Sequence, residues 1–273
     1  MTTAAVSKRR RMPLVLICVG LLSAACGDVT IGYGFEKAEA QAGTPAADGH
    51  LLSRPPKDAP PPLPTVTGAR PIDGDGGRGG VVYIPPGLTG PAPLLVLLHG
   101  ATGSAAGITK RIDAFALADE LRIVILAPDS RDRTWDAIRG HFGPDVAFLD
   151  KALATVFALV PIDRKRLAVG GFSDGASYAI SLGLQNGDLF THVVAFSPGF
   201  YVGNQRRGRP SFYVSHGKGD EILSFDNTAR RIVPELEAAN YNVRFKDFEG
   251  PHTVPAAIAR DAFQWIAGKA GAR

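Results

Sequence analysis

The stretch AVGGFSDGASYAISLG, residues 168–183, places one serine, Ser173, between Gly171 and Gly175. Apolar residues lead into it and small, helix-compatible residues lead out, so the segment reads as strand, tight turn and helix in a G-x-S-x-G pattern. In such a turn the serine takes a strained backbone conformation, and the flanking glycines give clearance that side chains would remove. A serine hydroxyl is a poor nucleophile at neutral pH; it needs a base, and the base needs an orienting group. SHGKGD supplies Asp220 and EGPHTVP supplies His252, giving the chain order Ser, Asp, His. The chemistry this set could do is acyl transfer: His252 takes the Ser173 proton as the oxygen attacks a carbonyl, while Asp220 holds the imidazole tautomer. Each residue also has a plain structural reading: Ser173 as a turn residue, Asp220 as a loop carboxylate capping a nearby helix, and His252 as a surface histidine; Asp247 is a rival for the acid but lies inside the predicted last strand. The coincidence of elbow, acid and base favours the catalytic reading.

A tetrahedral intermediate needs backbone donors for its oxyanion. The N–H of Asp174, which follows the nucleophile, is one expected donor. The N–H of Ala101, after the run LLVLLHG, is the other. His99 is expected to support that loop by hydrogen bonding, at the edge of the substrate cleft. Trp135 either lines the cleft or packs beneath a loop. Phe200 and Tyr201 either form an acyl wall or pack ordinarily. His141, His192 and His216 show no metal-ligand spacing and read as structural, and the proposed chemistry uses no metal or cofactor. Arg206, Arg207 and Arg209 read as a solvated loop.

The elements that must position these residues alternate from about Val81 onward. VVYIP, PLLVLLHG, RIVILAPDS, RLAVGG, HVVAFSP, SFYVSHG and NVRFKDFEG read as strands, several of them continuous apolar runs buried on both faces. Helices are expected over 108–121, 145–160, 175–187, 226–240 (bent at Pro234) and 254–268. This alternation predicts an α/β fold with a mostly parallel central sheet and helices on both faces. Ser173, His99, Asp220 and His252 all follow predicted strands, at the carboxyl edge where such sheets gather functional groups.

With these pieces in place, the sequence resembles the α/β-hydrolase superfamily. The likeness is to bacterial esterases grouped with polyhydroxybutyrate depolymerases, feruloyl esterases and phospholipase/carboxylesterases. It is carried by LLVLLHG, DVAFLDKAL, IDRKRLAVGGFSDGAS, SHGKGD and GPHTVP, over about residues 80 to 268. The resemblance implies Ser173 as nucleophile, Asp220 as acid and His252 as base, with Asp145 and Asp150 serving structure. Asp174 departs from the Asn or Gln common in depolymerase-like members. The connection from Pro198 to Ser211 is too short for the large cap domain often inserted thereabouts, which points to short-chain or exposed esters. A serine peptidase or amidase using the same triad, and a non-catalytic envelope lipoprotein keeping the fold, are the rival readings.

The chain has 273 residues and a formal charge of +4. Lys8, Arg9, Arg10 and Arg11 account for that charge, so the rest is close to neutral and a nucleic-acid partner loses its support. Those cations precede an apolar run of about 12 residues, short of the roughly 20 that a membrane-spanning helix needs. Residues 1–26 therefore read as an export signal. LLSAAC resembles the lipobox of bacterial lipoproteins, with Ser23 where that motif prefers an aliphatic residue. Lipidation and membrane tethering at Cys26, ordinary cleavage near Ala25, and an uncleaved anchor all follow from this segment. The expected location is the cell envelope or the exterior. Residues 27–70, rich in Pro, Ala and Gly, read as a disordered linker, and 71–273 as the α/β-hydrolase domain. No cysteine follows Cys26, so the domain must be held by its core alone.

Overall fold

The computed structural model describes Met1 and residues 48–74 and 77–269. The remainder of the expected signal segment, Cys26 and residues 27–47 of the expected linker lie outside the described residues. Among the described residues, eight strands form one sheet in the order β1-β2-β4-β3-β5-β6-β7-β8. They are β1 (Gly68–Ile72), β2 (Gly80–Ile84), β3 (Ala92–Leu98), β4 (Val124–Pro128), β5 (Ile162–Phe172), β6 (His192–Phe196), β7 (Ser211–Gly217) and β8 (Val243–Phe248). The β1/β2 and β2/β4 pairs are antiparallel and the rest are parallel. This is the mostly parallel sheet expected, with one strand more than the apolar runs suggested. The extra strand is β1, whose GARPI sequence alternates half-buried and exposed positions at the sheet edge and so lacks an apolar signature.

The central strands are buried on both sides, which is why they read as unbroken apolar runs. In β3, Leu94, Val96 and Leu98 face one core layer, while Leu95 and Leu97 face the other. The first layer is closed by α3 (Pro144–Leu159), α4 (Asp174–Gln185) and α6 (Val233–Ala238). The second is closed by α1 (Ala105–Arg111), α2 (Ala114–Leu121) and α7 (Ala256–Ile266). The helix expected over 108–121 is two helices. Asp113 adopts φ 53°, ψ 43°, which breaks the ladder between α1 and α2, and an aspartate tolerates that conformation better than most residues. The bend expected at Pro234 is a π-helical turn, Thr228–Ile232, between the short α5 (Phe225–Asn227) and α6. Proline offers no N–H to the preceding turn, and the wider turn absorbs the mismatch. Between Pro198 and Pro210 no helix is inserted, so among the described residues nothing of cap-domain size is inserted at this edge of the sheet.

The expected linker needs correction at its C-terminal end. Residues 48–55 dock on the folded body and Gly68 begins β1, while 56–67 between them run mostly exposed. Leu51 is fully buried in the first core layer. Its N–H donates to Oδ1 of the buried Asn186 (2.7 Å), whose Nδ2 donates to the Gly49 carbonyl (2.8 Å). Asp150 Oδ1 accepts the N–H groups of Leu52 and Ser53 (2.7 and 2.8 Å), and Arg54 pairs with Asp188 at 2.6 Å. The arm folds because one leucine fills a core site and its backbone groups find side-chain partners far away in the sequence. Its composition reveals neither. Among the described residues, no helix is long and apolar enough to cross a membrane.

Candidate active site

The elbow forms as the glycines demand. Ser173 sits between β5 and α4 with φ 59° and ψ −122°, outside the regions an L-residue prefers. A methyl group at Gly171 would lie 2.6 Å from the Gly175 carbonyl carbon and oxygen and 2.7 Å from Leu98 O. A methyl at Gly175 would collide with the Leu98 and His99 carbonyls. Only hydrogen at both positions lets β3, the elbow and the first turn of α4 come this close. The Ser173 N–H donates to Phe196 O (3.0 Å), fixing the elbow to the end of β6.

Asp220 and His252 meet beyond the ends of β7 and β8. His252 Nδ1 lies 2.6 Å from Asp220 Oδ2, and the Asp220 side chain is fully buried. Asp220 Oδ1 accepts the N–H groups of Ile222 and Leu223, both at 2.9 Å. Burial alone would raise this carboxyl. The Leu223 N–H, the His252 imidazole and the Ile222 N–H outweigh it and hold the group below the ordinary aspartate value. Asp220 is therefore ionised at neutral pH, and His252 presents Nδ1–H to it. That tautomer leaves Nε2 bare. His252 Nε2 is buried and without a hydrogen-bond partner, and its ring lies tilted against Phe172, the residue before Ser173, with centroids 4.6 Å apart. The bond between Ser173 Oγ and Nε2 is not closed. Bonds of this type often tighten only when substrate binds.

The loop after β3 packs against the elbow, with a methyl at Gly100 reaching within 3.2 Å of Ser173 Cβ. Thr102 N–H donates to Arg133 O (2.6 Å) and Gly103 N–H to Gly100 O (3.0 Å). The Ala101 and Asp174 N–H groups enter none of the hydrogen bonds formed among the described residues. They are the two donors the sequence nominated. Asp174 also accepts a bond from Thr134 Oγ1 at 2.6 Å.

His99 is buried and supports this loop. Its Nδ1–H donates to Gly100 O (2.7 Å), and its Nε2 accepts the Ser130 N–H (3.0 Å). Burial lowers its pKa, so it stays neutral. With 1% exposure it cannot meet substrate as a cleft residue would. Trp135 is corrected likewise. It is fully buried, donates Nε1–H to His99 O (2.8 Å) and stacks on Tyr178 at 5.2 Å. Its size is spent supporting the loop from beneath. Tyr201 is no acyl wall either: it packs against the core, and its hydroxyl donates to Glu235 Oε2 (2.7 Å). Phe200 is half-buried on a loop whose Gly199 and Phe200 N–H groups donate to Ser177 Oγ (3.0 and 3.4 Å), one turn beyond Ser173.

Asp145 and Asp150 serve structure. Asp150 holds the arm. Asp145 Oδ1 accepts the Arg131 N–H (2.5 Å) and Oδ2 the Asp136 N–H (2.7 Å), while Asp136 accepts the Tyr178 hydroxyl (2.8 Å). His192 lies at the far end of β6 from the elbow and meets Trp265 edge-on. Among the described residues no group of three or more His, Cys, Asp or Glu is placed to hold a metal. Sequence reading missed one contact. His216 Nε2 approaches Asp220 Oδ2 at 3.0 Å. The four-residue spacing in SHGKGD was the available signal.

No family model matches the chain. Solved structures with the same architecture are numerous. An S-formylglutathione hydrolase from Agrobacterium tumefaciens superposes with a TM-score of 0.60 at 18% identity, over 76% of this chain and 98% of that one. An acetyl xylan esterase from Aspergillus awamori gives 0.59 at 17%, over 74% and 99%. A carboxylesterase from Bacillus cereus gives 0.54 at 20%, over 71% and 96%. At these identities the likeness is one of fold: the chain has the α/β-hydrolase fold.

Proposed function

We propose that this α/β-hydrolase-fold protein hydrolyses carboxylic esters through an acyl-enzyme on Ser173. One observation carries the reading: the 2.6 Å contact of His252 Nδ1 with the buried, ionised Asp220, beside a serine held at φ 59°. The solved structures of like fold named above are hydrolases and esterases, which supports the same class. Ser173 Oγ attacks the acyl carbonyl and passes its proton to His252 Nε2. Asp220 stabilises the imidazolium without taking the proton. The Ala101 and Asp174 N–H groups receive the oxyanion, each worth about 10²–10³ in rate. The imidazolium then protonates the departing alcohol, and His252 activates water to release the acid and free Ser173.

Without an inserted cap, the site is suited to short acyl groups or to esters exposed on a larger substrate. The N-terminal segment would place the enzyme outside the cytoplasm, with or without a lipid at Cys26. The test is a fluorophosphonate probe. Labelling of the native protein, lost in Ser173→Ala, is expected. Equal labelling of both would end the assignment. Aryl acetates and butyrates should turn over much faster than long-chain esters; a long-chain preference would refute the open-site reading.

A further inference from the structure

We propose that His216 is a positioning residue for the acid of the triad, fixing the loop that aims Asp220 at His252. The inference rests on the triad reading above and adds a fourth side chain to it.

His216, the penultimate residue of β7, is fully buried. Its Nε2 lies 2.9 Å from Leu223 O and 3.0 Å from Asp220 Oδ2. Both neighbours are acceptors, so Nε2 must carry hydrogen. The well-aligned bond goes to the carbonyl, and the carboxylate receives the same N–H off-axis. Nδ1 is buried and unpartnered. Protonating it would create a buried donor with nowhere to donate, which keeps the ring neutral. Burial lowers the pKa accordingly, although the Leu223 carbonyl and Asp220 act in the opposite sense; His252 adds to the lowering. The Phe225 ring meets the imidazole edge-on at 6.1 Å.

The effect is to close a small ring of contacts. Asp220 Oδ1 receives the Ile222 and Leu223 N–H groups, so the loop curls over its own carboxylate. His216 holds the other side of that loop through the Leu223 carbonyl. The Leu223 side chain in turn rests against Gly199, where a methyl would meet its Cδ2 at 2.9 Å. With both carboxylate oxygens engaged, Oδ2 cannot swing from His252 Nδ1. A neutral donor does this without placing a second positive charge beside the imidazolium formed in the reaction.

The experiment compares His216→Asn with His216→Gln. The Gln amide nitrogen can reach the position of Nε2, whereas the Asn amide reaches only that of Nδ1. Three readouts are taken: thermal unfolding, steady-state hydrolysis of an aryl acetate, and the imidazole titration of His252 by NMR. For His216→Asn we expect a folded protein with kcat lower by up to about 10²-fold, the penalty of a misplacement near 1 Å, and KM unchanged. The His252 titration and the acid limb of the rate profile should move to lower pH, because a wandering carboxylate stabilises the imidazolium less. His216→Gln should recover most of both. The proposal is overturned if His216→Asn matches the native protein, if Gln is as impaired as Asn, or if the His252 titration stays put or moves upward. The NMR arm needs no turnover. A native protein that fails to label at Ser173 therefore refutes the esterase reading, while the His252 titration still decides the role of His216.

Discussion

Gly171→Ala puts the geometry of the elbow under the sharpest test. The added methyl would sit 2.6 Å from the Gly175 carbonyl group, where ordinary contact begins at 3.4 Å, so the elbow and α4 must part by about 0.8 Å. It would also press on Leu98 O at 2.7 Å, from the opposite strand. Both obstacles are backbone, and neither can rotate away. Moving one opens the β3/β5 pairing; moving the other carries the Asp174 N–H away from Ser173. A displacement near 1 Å in a reacting group costs about 10²-fold in rate, and overpacking costs about 1–3 kcal/mol in stability. The expected result is a folded, less stable protein with kcat for an aryl acetate reduced about 10²-fold and fluorophosphonate labelling slowed in proportion. Gly90→Ala, where a methyl meets nothing within 4 Å, is the control and should change neither. A Gly171→Ala protein that keeps its native kcat and melting temperature would refute the claim that this clearance sets the position of the nucleophile.

Three further outcomes follow from the structure. Asp220→Asn turns an acceptor that fixes the His252 tautomer into a group that can also donate, and should lower kcat by about 10⁴-fold with little change in KM; an unimpaired variant would remove Asp220 from the mechanism. Leu51→Ala should cost about 2–5 kcal/mol in urea unfolding while sparing kcat, since the residue is fully buried yet remote from the elbow; no loss of stability would show that the arm does not belong to the core. Burial, reinforced by the neighbouring Asp136, pushes the Asp145 carboxyl up to about 6. A raised folded-state value means the native protein holds this proton after the unfolded chain has released it. The contribution, about 3 kcal/mol, is therefore present in full below about pH 4 and lost as pH rises through about 6. Asp145→Asn should flatten that part of the pH–stability curve relative to the native protein; identical slopes would refute it.

What could be read in advance was what local sequence encodes. The buried strands announce themselves because β3, β5 and β6 are covered on both faces, and the elbow because two glycines sit where only hydrogen fits. Asp220 and His252 were legible because each follows a strand within a few residues. The remainder depends on partners far along the chain. Leu51 looks like any leucine in a proline-rich stretch until Asn186 and Asp150 are placed beneath it. The break at Asp113 needs two helices that pack separately against the sheet. Trp135 could not be assigned to cleft or foundation before the His99 carbonyl was found above its indole nitrogen. His216 reads as a strand residue, and only the fold of loop 220–223 turns it toward the acid.

The clasp at Asn186 also ties the arm to the helix that carries the nucleophile. Asn186 follows the last residue of α4, and the elbow precedes the first. Twelve residues of helix separate them, about 18 Å at the usual rise. The seat of Leu51 and the nucleophile are thereby held at opposite ends of one helix.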